Sequence, residues 1–125
     1  MITHFMVGAN DVEKSRAFYD AALSAIGYPK SNPAIPRAIY KAEGAPSFMV
    51  GKPENGEAAT YANGGTIGFN GGTKEQVNAF HAAGLANGGT CAGAPGPRPA
   101  LPNMYGAYLR DPDGNKIAAF SFDAA

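Results

Sequence analysis

The sequence predicts an α+β domain whose two halves share one pattern of strand, turn and helix. Sliding the 125-residue chain by 62 residues places residues 2–23 over residues 64–85, and identical residues then coincide at helical spacing. An apolar alternation of period two precedes the helical pattern in each half, which is typical of a strand. The coincident identities are Glu13/Glu75, Ala17/Ala79, Phe18/Phe80, Ala21/Ala83 and Leu23/Leu85. We therefore divide the single predicted domain, residues 1–125, into module 1 (residues 1–60) and module 2 (residues 61–125).

Both helices carry sequence signals at their two ends. In module 1, Asn10 is the expected N-cap, Glu13 can complete a capping box with it, and Gly27 ends the helix. In module 2 the same functions are expected of Thr73, Gln76 and the pair Asn87-Gly88. Each helix presents an apolar stripe, which predicts that both pack on a sheet.

Short strands are expected after each helix. The apolar and β-branched segments are 37–42 and 47–51 in module 1, and 105–110 and 115–122 in module 2. The last two flank the tetrapeptide Asp111–Gly114, whose Pro and Gly favour a tight turn, so they predict a hairpin. Four prolines between Ala92 and Pro102 predict a loop there.

The composition narrows the classes of partner. Ten basic and ten acidic residues leave a formal net charge of zero, without a basic or acidic run, so nucleic acid and anionic membrane surfaces are not expected as partners. The single Cys91 cannot form an internal disulfide, and the chain has neither a signal-peptide pattern nor an apolar run long enough to span a bilayer. We expect a cytoplasmic protein with a small-molecule partner.

Several segments together resemble one known family. They are the first strand with His4, residues 10–19, Gly88-Gly89-Thr90, and the C-terminal segment 110–117. In their order and spacing these segments, with the duplication, look like the glyoxalase/bleomycin resistance/dioxygenase superfamily, also called vicinal oxygen chelate proteins. The resemblance covers nearly the whole chain. It implies paired βαβββ modules that form a curled mixed sheet, with helices outside, a ligand cavity inside, and assembly as a homodimer.

The resemblance also implies a divalent metal, held by side chains from the first and last strands of both modules. His4 stands on the first strand where a ligand His is implied, but the 62-residue offset aligns it with Thr66, a poor ligand. The Glu implied directly after Ile117 is Ala118, and residues 47–50 supply no carboxylate. His4 is therefore the only retained ligand position. Protein metal sites generally need about three or more fixed ligands, so we predict no metal and no other cofactor.

Strand alternation predicts which side chains line the cup. Expected to face the helices are Phe5, Val7, Ile67, Phe69, Leu109 and Ile117. The opposite parity assigns to the concave face His4, Met6, Thr66, Gly68, Tyr108, Arg110, Ala118 and Phe120. The predicted ligand-binding residues are His4, Met6, Thr66, Tyr108, Arg110 and Phe120, because apolar walls with a few polar groups suit a small organic ligand. The alternative is that these side chains simply fill the cup.

Other chemical candidates have simpler structural explanations. His81 is expected to be a partly exposed helical residue, and Cys91 a small packed hydrophobe rather than a nucleophile. Residues 71–74 follow a strand and open a helix, but the order of their Thr and Lys does not match a phosphate-binding loop. The glycine spacing of a dinucleotide-binding fold is missing as well.

Two classes of function follow from these observations. The first is a protein that binds a small organic molecule in its cup and has a degenerate metal site. The second is an enzyme, either of lactoylglutathione lyase or ring-cleaving dioxygenase type, which would need the metal, or one with a metal-independent reaction in which His4 is the acid or base.

The metal-free interpretation predicts the behaviour of a designed site. Thr66→His together with Ala118→Glu should supply two ligands beside His4 and create zinc or nickel affinity measurable by calorimetry. Ile67→His, on the predicted helix-facing side, should only weaken folding. One tightly held metal per wild-type chain in elemental analysis, lost on His4→Ala, would contradict the interpretation.

Overall fold

The computed structural model describes residues 1–122 and confirms the α+β class. Within these residues there are two helices and seven strands, and each half begins with the predicted strand and helix, followed by further strands. The elements of module 1 are β1 (His4–Gly8), α1 (Val12–Ser24), β2 (Ala38–Tyr40) and β3 (Ser47–Gly51). Those of module 2 are β4 (Ile67–Asn70), α2 (Lys74–Ala86), β5 (Thr90–Pro97), β6 (Tyr105–Arg110) and β7 (Lys116–Ser121).

The strands form two separate mixed sheets, ordered β1-β3-β2 and β4-β7-β6-β5. In each sheet the first strand of the half runs parallel to the last one, and the remaining pairs are antiparallel. The second sheet has all the strands of a βαβββ module. The first sheet has one strand fewer, because the chain between α1 and β2 is not extended along the sheet edge.

Buried Arg16 on α1 holds the segment that stands in place of the missing strand. Its guanidinium donates to Ser31 Oγ at 2.9 Å, to the carbonyl of Asn32 at 3.1 Å and to the carbonyl of Ile35 at 2.6 Å. It also pairs with Glu13 at 3.2 Å. The buried cation is therefore satisfied by acceptors of this loop, which fixes the loop against the helix.

The helices agree with the predicted repeat. α1 and α2 have 13 residues each, and their bounds differ by the same 62 residues as the sequence identities. Thr73 and Gln76 form the predicted capping box at α2. The predicted cap of α1 is wrong by one residue, since Asp11, not Asn10, accepts the backbone N–H groups of Glu13 and Lys14. The Asp11 carboxylate turns back onto the helix, whereas the Asn10 side chain bonds to Asp113 and to the backbone N–H of Ala59.

The core lies between the helices and one face of each sheet. The predicted helix-facing positions Phe69, Leu109 and Ile117 are buried there, and Val7 and Ile67 pack against them. The helices pack closely at Gly84, where a Cβ would lie 2.4 Å from Leu109 Cδ1 and 3.1 Å from Phe18 Cε1. Phe5 pairs with the core residue Phe48 and shares its face, but its strand is a sheet edge and leaves 40% of the residue exposed.

The predicted loop at residues 92–102 is wrong for its first half. Residues 90–97 form β5, which pairs with β6 although it contains Pro95 and Pro97. β5 is the edge of its sheet, and a proline can occupy an edge strand where its missing N–H would point away from the partner. Register shifts between Cys91 and Gly93, and between Gly93 and Gly96, accommodate the irregular backbone.

The predicted turn at Asp111–Gly114 connects β6 to β7 and also joins the two modules. The buried Asp111 carboxylate accepts a hydrogen bond of 2.6 Å from the phenol of Tyr19 on α1. It further accepts the backbone N–H groups of Asp113 and Asn115 and the side-chain amide of Asn115. The same amide reaches the carbonyl of Gly8 in β1 at 3.1 Å. Burial, then the Asp111 charge, raises the pKa of Tyr19 well above its ordinary value, so the phenol stays a donor.

The described residues contain no helix that is long and apolar enough to cross a membrane.

The Asp111 junction leads to a stability prediction. Asp111→Asn replaces a carboxylate, which only accepts hydrogen bonds, with an amide that cannot accept hydrogen bonds from all four donors. We therefore expect the free energy of unfolding to fall by about 2–4 kcal/mol. Denaturant unfolding measures this loss. Glu54→Gln, the same chemical change at an exposed position, is the control and should change stability by less than about 0.5 kcal/mol. An equal effect of both substitutions would show that the junction is not a stabilising element.

Candidate functional site

The second sheet has one face covered by α2 and one face free of helices. Across β4, β7 and β6 the cross-strand register places Gly68, Ala118 and Tyr108 in one row, and Asn70, Phe120 and Gly106 in the next. Tyr108 and Phe120 are half-buried and do not belong to the core cluster. Since neighbouring residues on these strands are core residues, this row-by-row alternation identifies the helix-free face of the sheet.

Tyr108 and Phe120 form an aromatic platform on the helix-free face. Their ring centroids are 5.6 Å apart in an edge-to-face arrangement, and the ring of Phe122 lies 6.4 Å from that of Phe120. A Cβ at Gly106 would lie 2.4 Å from Phe120 Cδ1, and one at Gly93 would lie 2.9 Å from Tyr108 Cδ2. The rings therefore lie over glycine backbone of adjacent strands, where a larger residue would displace them.

Two cationic side chains lie over the Tyr108 ring of this platform, and a third lies on the same face of the sheet. The Arg98 guanidinium lies 5.4 Å from the centroid of the Tyr108 ring, and Lys116 Nζ lies 4.8 Å from the same centroid. Arg110, on the strand of Tyr108 and with the same parity, lies 5.3 Å from the ring of Tyr61 and donates to the carbonyl of Gly114 at 2.9 Å. The predicted residues Tyr108, Arg110 and Phe120 thus share one surface, and sequence reasoning missed the contributions of Arg98 and Lys116.

The predicted residues of module 1 lie on the other sheet. His4 is exposed, and its Nδ1 is 2.9 Å from Thr3 Oγ1. Met6 is 39% exposed, and its Cε would be 3.1 Å from a Cβ on Gly51. Thr66, which belongs to module 2, is exposed and precedes β4 by one residue. The contacts of His4 and Met6 are with module 1, so the structure does not join them to the aromatic platform.

The donor set at the implied metal position does not fit a divalent ion. The register pairs Phe5 with Phe48 and Ile67 with Ile117, so the residue of β3 equivalent to Ala118 is Met49. The four equivalent positions therefore offer an imidazole, a hydroxyl, a thioether and a methyl group, listed as His4, Thr66, Met49 and Ala118. A divalent ion of the implied kind prefers several imidazole or carboxylate ligands. In residues 1–122 no group of three or more His, Cys, Asp or Glu is placed to hold a metal.

Surface cavities border β1 and the start of α1. One of about 300 Å³ is lined by Met6, by adjacent residues of β1 and by residues of the loop between β3 and β4. Another of about 770 Å³ lies at the N-terminal end of α1, where its lining includes Asn10, Arg37 and Gly51. Of the predicted ligand-binding residues, Met6 lines the smaller of these two cavities.

His81 and Cys91 differ from their predicted environments. His81 is buried rather than partly exposed, and Cys91 is exposed rather than packed. His81 Nε2 lies 3.2 Å from Cys91 Sγ, because α2 crosses the edge strand β5 at this point. Burial lowers the pKa of His81, so the neutral imidazole is favoured in the folded chain. Their separation of ten residues across a helix end gave no sequence signal for this contact.

These features define an α+β protein of two similarly built halves, with an aromatic surface on the face of its second sheet opposite α2. A model of the Glyoxalase/Bleomycin resistance protein/Dioxygenase superfamily matches residues 1–119. The chain belongs to this superfamily.

Solved structures agree with the family and the fold. A crystal structure of a glyoxalase/bleomycin resistance protein from Albidiferax ferrireducens T118 is 49% identical, covers 96% of this chain and 97% of its own, and has a TM-score of 0.86. A glyoxalase-related enzyme from Fulvimarina pelagi is 18% identical, with coverages of 96% and 86% and a TM-score of 0.73. A family enzyme from Burkholderia phytofirmans PsJN is 19% identical, with coverages of 94% and 95% and a TM-score of 0.68. A comparison with curated proteins found no significant match.

The environment of His81 predicts a dependence of stability on pH. The unfolded chain binds a proton at His81 near pH 6.5, whereas the folded chain binds it only at lower pH. The stabilising contribution is therefore present above about pH 6.5 and is lost as pH falls through the lowered pKa. Urea unfolding across this range should show a steeper loss of stability for wild type than for His81→Asn. Cys91→Ser should keep the wild-type slope, because burial and not the thiol causes the shift. Identical profiles for wild type and His81→Asn would contradict the assignment.

Proposed function

We propose that this protein binds a small organic molecule on the helix-free face of its second sheet, without a resident metal. The observation that carries the proposal is the aromatic platform of Tyr108 and Phe120, which lies outside the core and is bordered by polar and charged groups. Apolar surface with a few oriented polar groups is the usual composition of a small-molecule site. The family relationship supports this use of the surface.

The degenerate donor set supports binding over metal-dependent catalysis. Reactions of the lactoylglutathione lyase or ring-cleaving dioxygenase type need a metal as Lewis acid or oxygen site. His4 is the one strong ligand among the four equivalent positions, and a single imidazole does not offset the dehydration of a divalent ion. We therefore assign no catalytic step to these residues.

A metal-independent reaction is the second candidate function. His4 is exposed on β1, where its imidazole is accessible to a bound molecule as a candidate acid or base. Its position on the first sheet means that such a ligand would have to reach from the aromatic platform to β1. Binding alone requires no such span, so it is the primary proposal.

The proposal also includes the predicted homodimer and cytoplasmic location. β1 is an edge strand, and the exposed Phe5 and Met6 add apolar surface beside it. Unpaired strand edges and apolar side chains of this kind favour association with a second copy.

A thermal-shift screen of small metabolites, with the protein treated with a chelator, tests the binding function. A ligand that binds only the folded chain at about 100 times its Kd adds about 2.7 kcal/mol, which should raise the midpoint by several degrees. Tyr108→Ala should abolish the shift. Tyr105→Ala, on the same strand but facing α2, is the matched control and should retain the shift relative to its own midpoint.

Two outcomes would overturn the proposal. In the first, shifts persist in Tyr108→Ala, which would place the ligand elsewhere. In the second, shifts appear only when a divalent metal is added and disappear in His4→Ala, which would favour metal-dependent function at β1.

A further inference from the structure

We infer that the ligand of the helix-free face is an aromatic molecule that carries an anionic group such as a carboxylate. This inference rests on the proposed function and specifies the class of ligand. It follows from how charge is distributed around the aromatic platform.

The positive charges of this face have no carboxylate partners within residues 1–122. The ion pair found in this part of the chain is Arg16 with Glu13, on the helix side of module 1. Arg98 instead donates to the carbonyls of Ala94 and Pro97, at 2.6 Å and 3.4 Å. Carbonyl dipoles and ring faces orient a cation without neutralising its charge.

Within residues 1–122, the acidic residues closest in sequence to Arg110 and Lys116 are directed away from this face. Asp111 is buried and accepts four hydrogen bonds, one of them from Tyr19 in the core. Asp113 accepts from Asn10 and from Ser15 at the start of α1. A chain with zero formal net charge thus places Arg98 and Lys116 over one aromatic ring and Arg110 on the same face of the sheet.

The shape of the platform determines the apolar part of the ligand. The rings lie over Gly68, Gly93 and Gly106, and a Cβ at Gly68 would lie 3.1 Å from Phe120 Cε2. Rings that lie directly over glycine backbone stay close to the plane of the sheet. A planar aromatic part of the ligand can therefore pack against Phe120 and the exposed ring of Phe122.

The positive charges beside Tyr108 determine where the anionic group of the ligand lies. With the aromatic body on Phe120, an attached carboxylate can approach Lys116 and Arg98, which already converge on the adjacent Tyr108 ring. Charge-assisted hydrogen bonds from these cations would fix its orientation. An aromatic cation would meet repulsion at the same place.

A matched set of aromatic probes tests this inference by calorimetry: naphthoate, neutral naphthamide and cationic naphthylmethylammonium. We expect naphthoate to bind about tenfold more tightly than naphthamide, and the cation to bind most weakly. Raising the salt to about 0.3 M should weaken naphthoate binding and leave naphthamide unchanged.

Charge-removing variants locate the anion. Lys116→Gln and Arg98→Gln should each weaken naphthoate binding about fivefold without changing naphthamide binding. Lys14→Gln removes the same charge from an exposed position on α1 and should change neither. Circular dichroism checks that each variant is folded.

The outcomes separate this inference from the proposed function. If naphthamide binds as tightly as naphthoate, or if Lys116→Gln and Arg98→Gln weaken both equally, the anion preference is wrong while small-molecule binding stands. If none of the three probes binds and the metabolite screen also gives no hit, the proposed function fails, and the inference fails with it.

Discussion

The buried carboxylate of Asp111 is the interaction on which the arrangement of the two modules depends. It accepts hydrogen bonds from Tyr19 of module 1 and from three donors of its own turn, so a charge that would be costly to bury is fully satisfied. Through Asn115 the same turn reaches the end of β1. The turn between β6 and β7 therefore sets the position of the helix-free face of module 2 relative to β1, and with it any site that uses both sheets.

The two helices were predictable because helix formation depends on local sequence. Apolar periodicity and capping residues are contained within about four turns of chain, and the two helices keep the predicted offset. Whether a proline-containing segment can join a sheet depends on whether it lies at the sheet edge, and local sequence does not specify this. Prolines predicted a loop at residues 92–102, but part of that segment is the edge strand β5. Prolines also occur before β2, and there Arg16 holds the chain as a loop instead.

The candidate site was predictable only in part, for a related physical reason. Strand parity within one sheet follows from alternation, and it correctly separated Leu109 and Ile117 from Tyr108 and Phe120. Contacts between segments that are distant in sequence do not follow from alternation. The placement of Arg98 over Tyr108 depends on the irregular end of β5, and the contact of His81 with Cys91 depends on where α2 crosses that strand. The same limit explains why Asn10, expected to cap α1, instead binds Asp113 of the other module.

The two halves share a backbone plan but no longer share a surface chemistry. A metal held symmetrically between duplicated modules needs equivalent donors in both, and the equivalent pairs are His4 with Thr66 and Met49 with Ala118. At both pairs the second sheet has the weaker donor, and across the same face it carries aromatic rings and cations instead. Ala118 pairs with Tyr108 across the strands, and its small side chain leaves space beside that ring. A carboxylate at this position would place a negative charge near Lys116, which lies over the same ring. Ala118 and the cationic aromatic residues therefore occupy the same face of the second sheet. The side chains of that face fit the anionic aromatic ligand inferred above better than they fit a divalent ion.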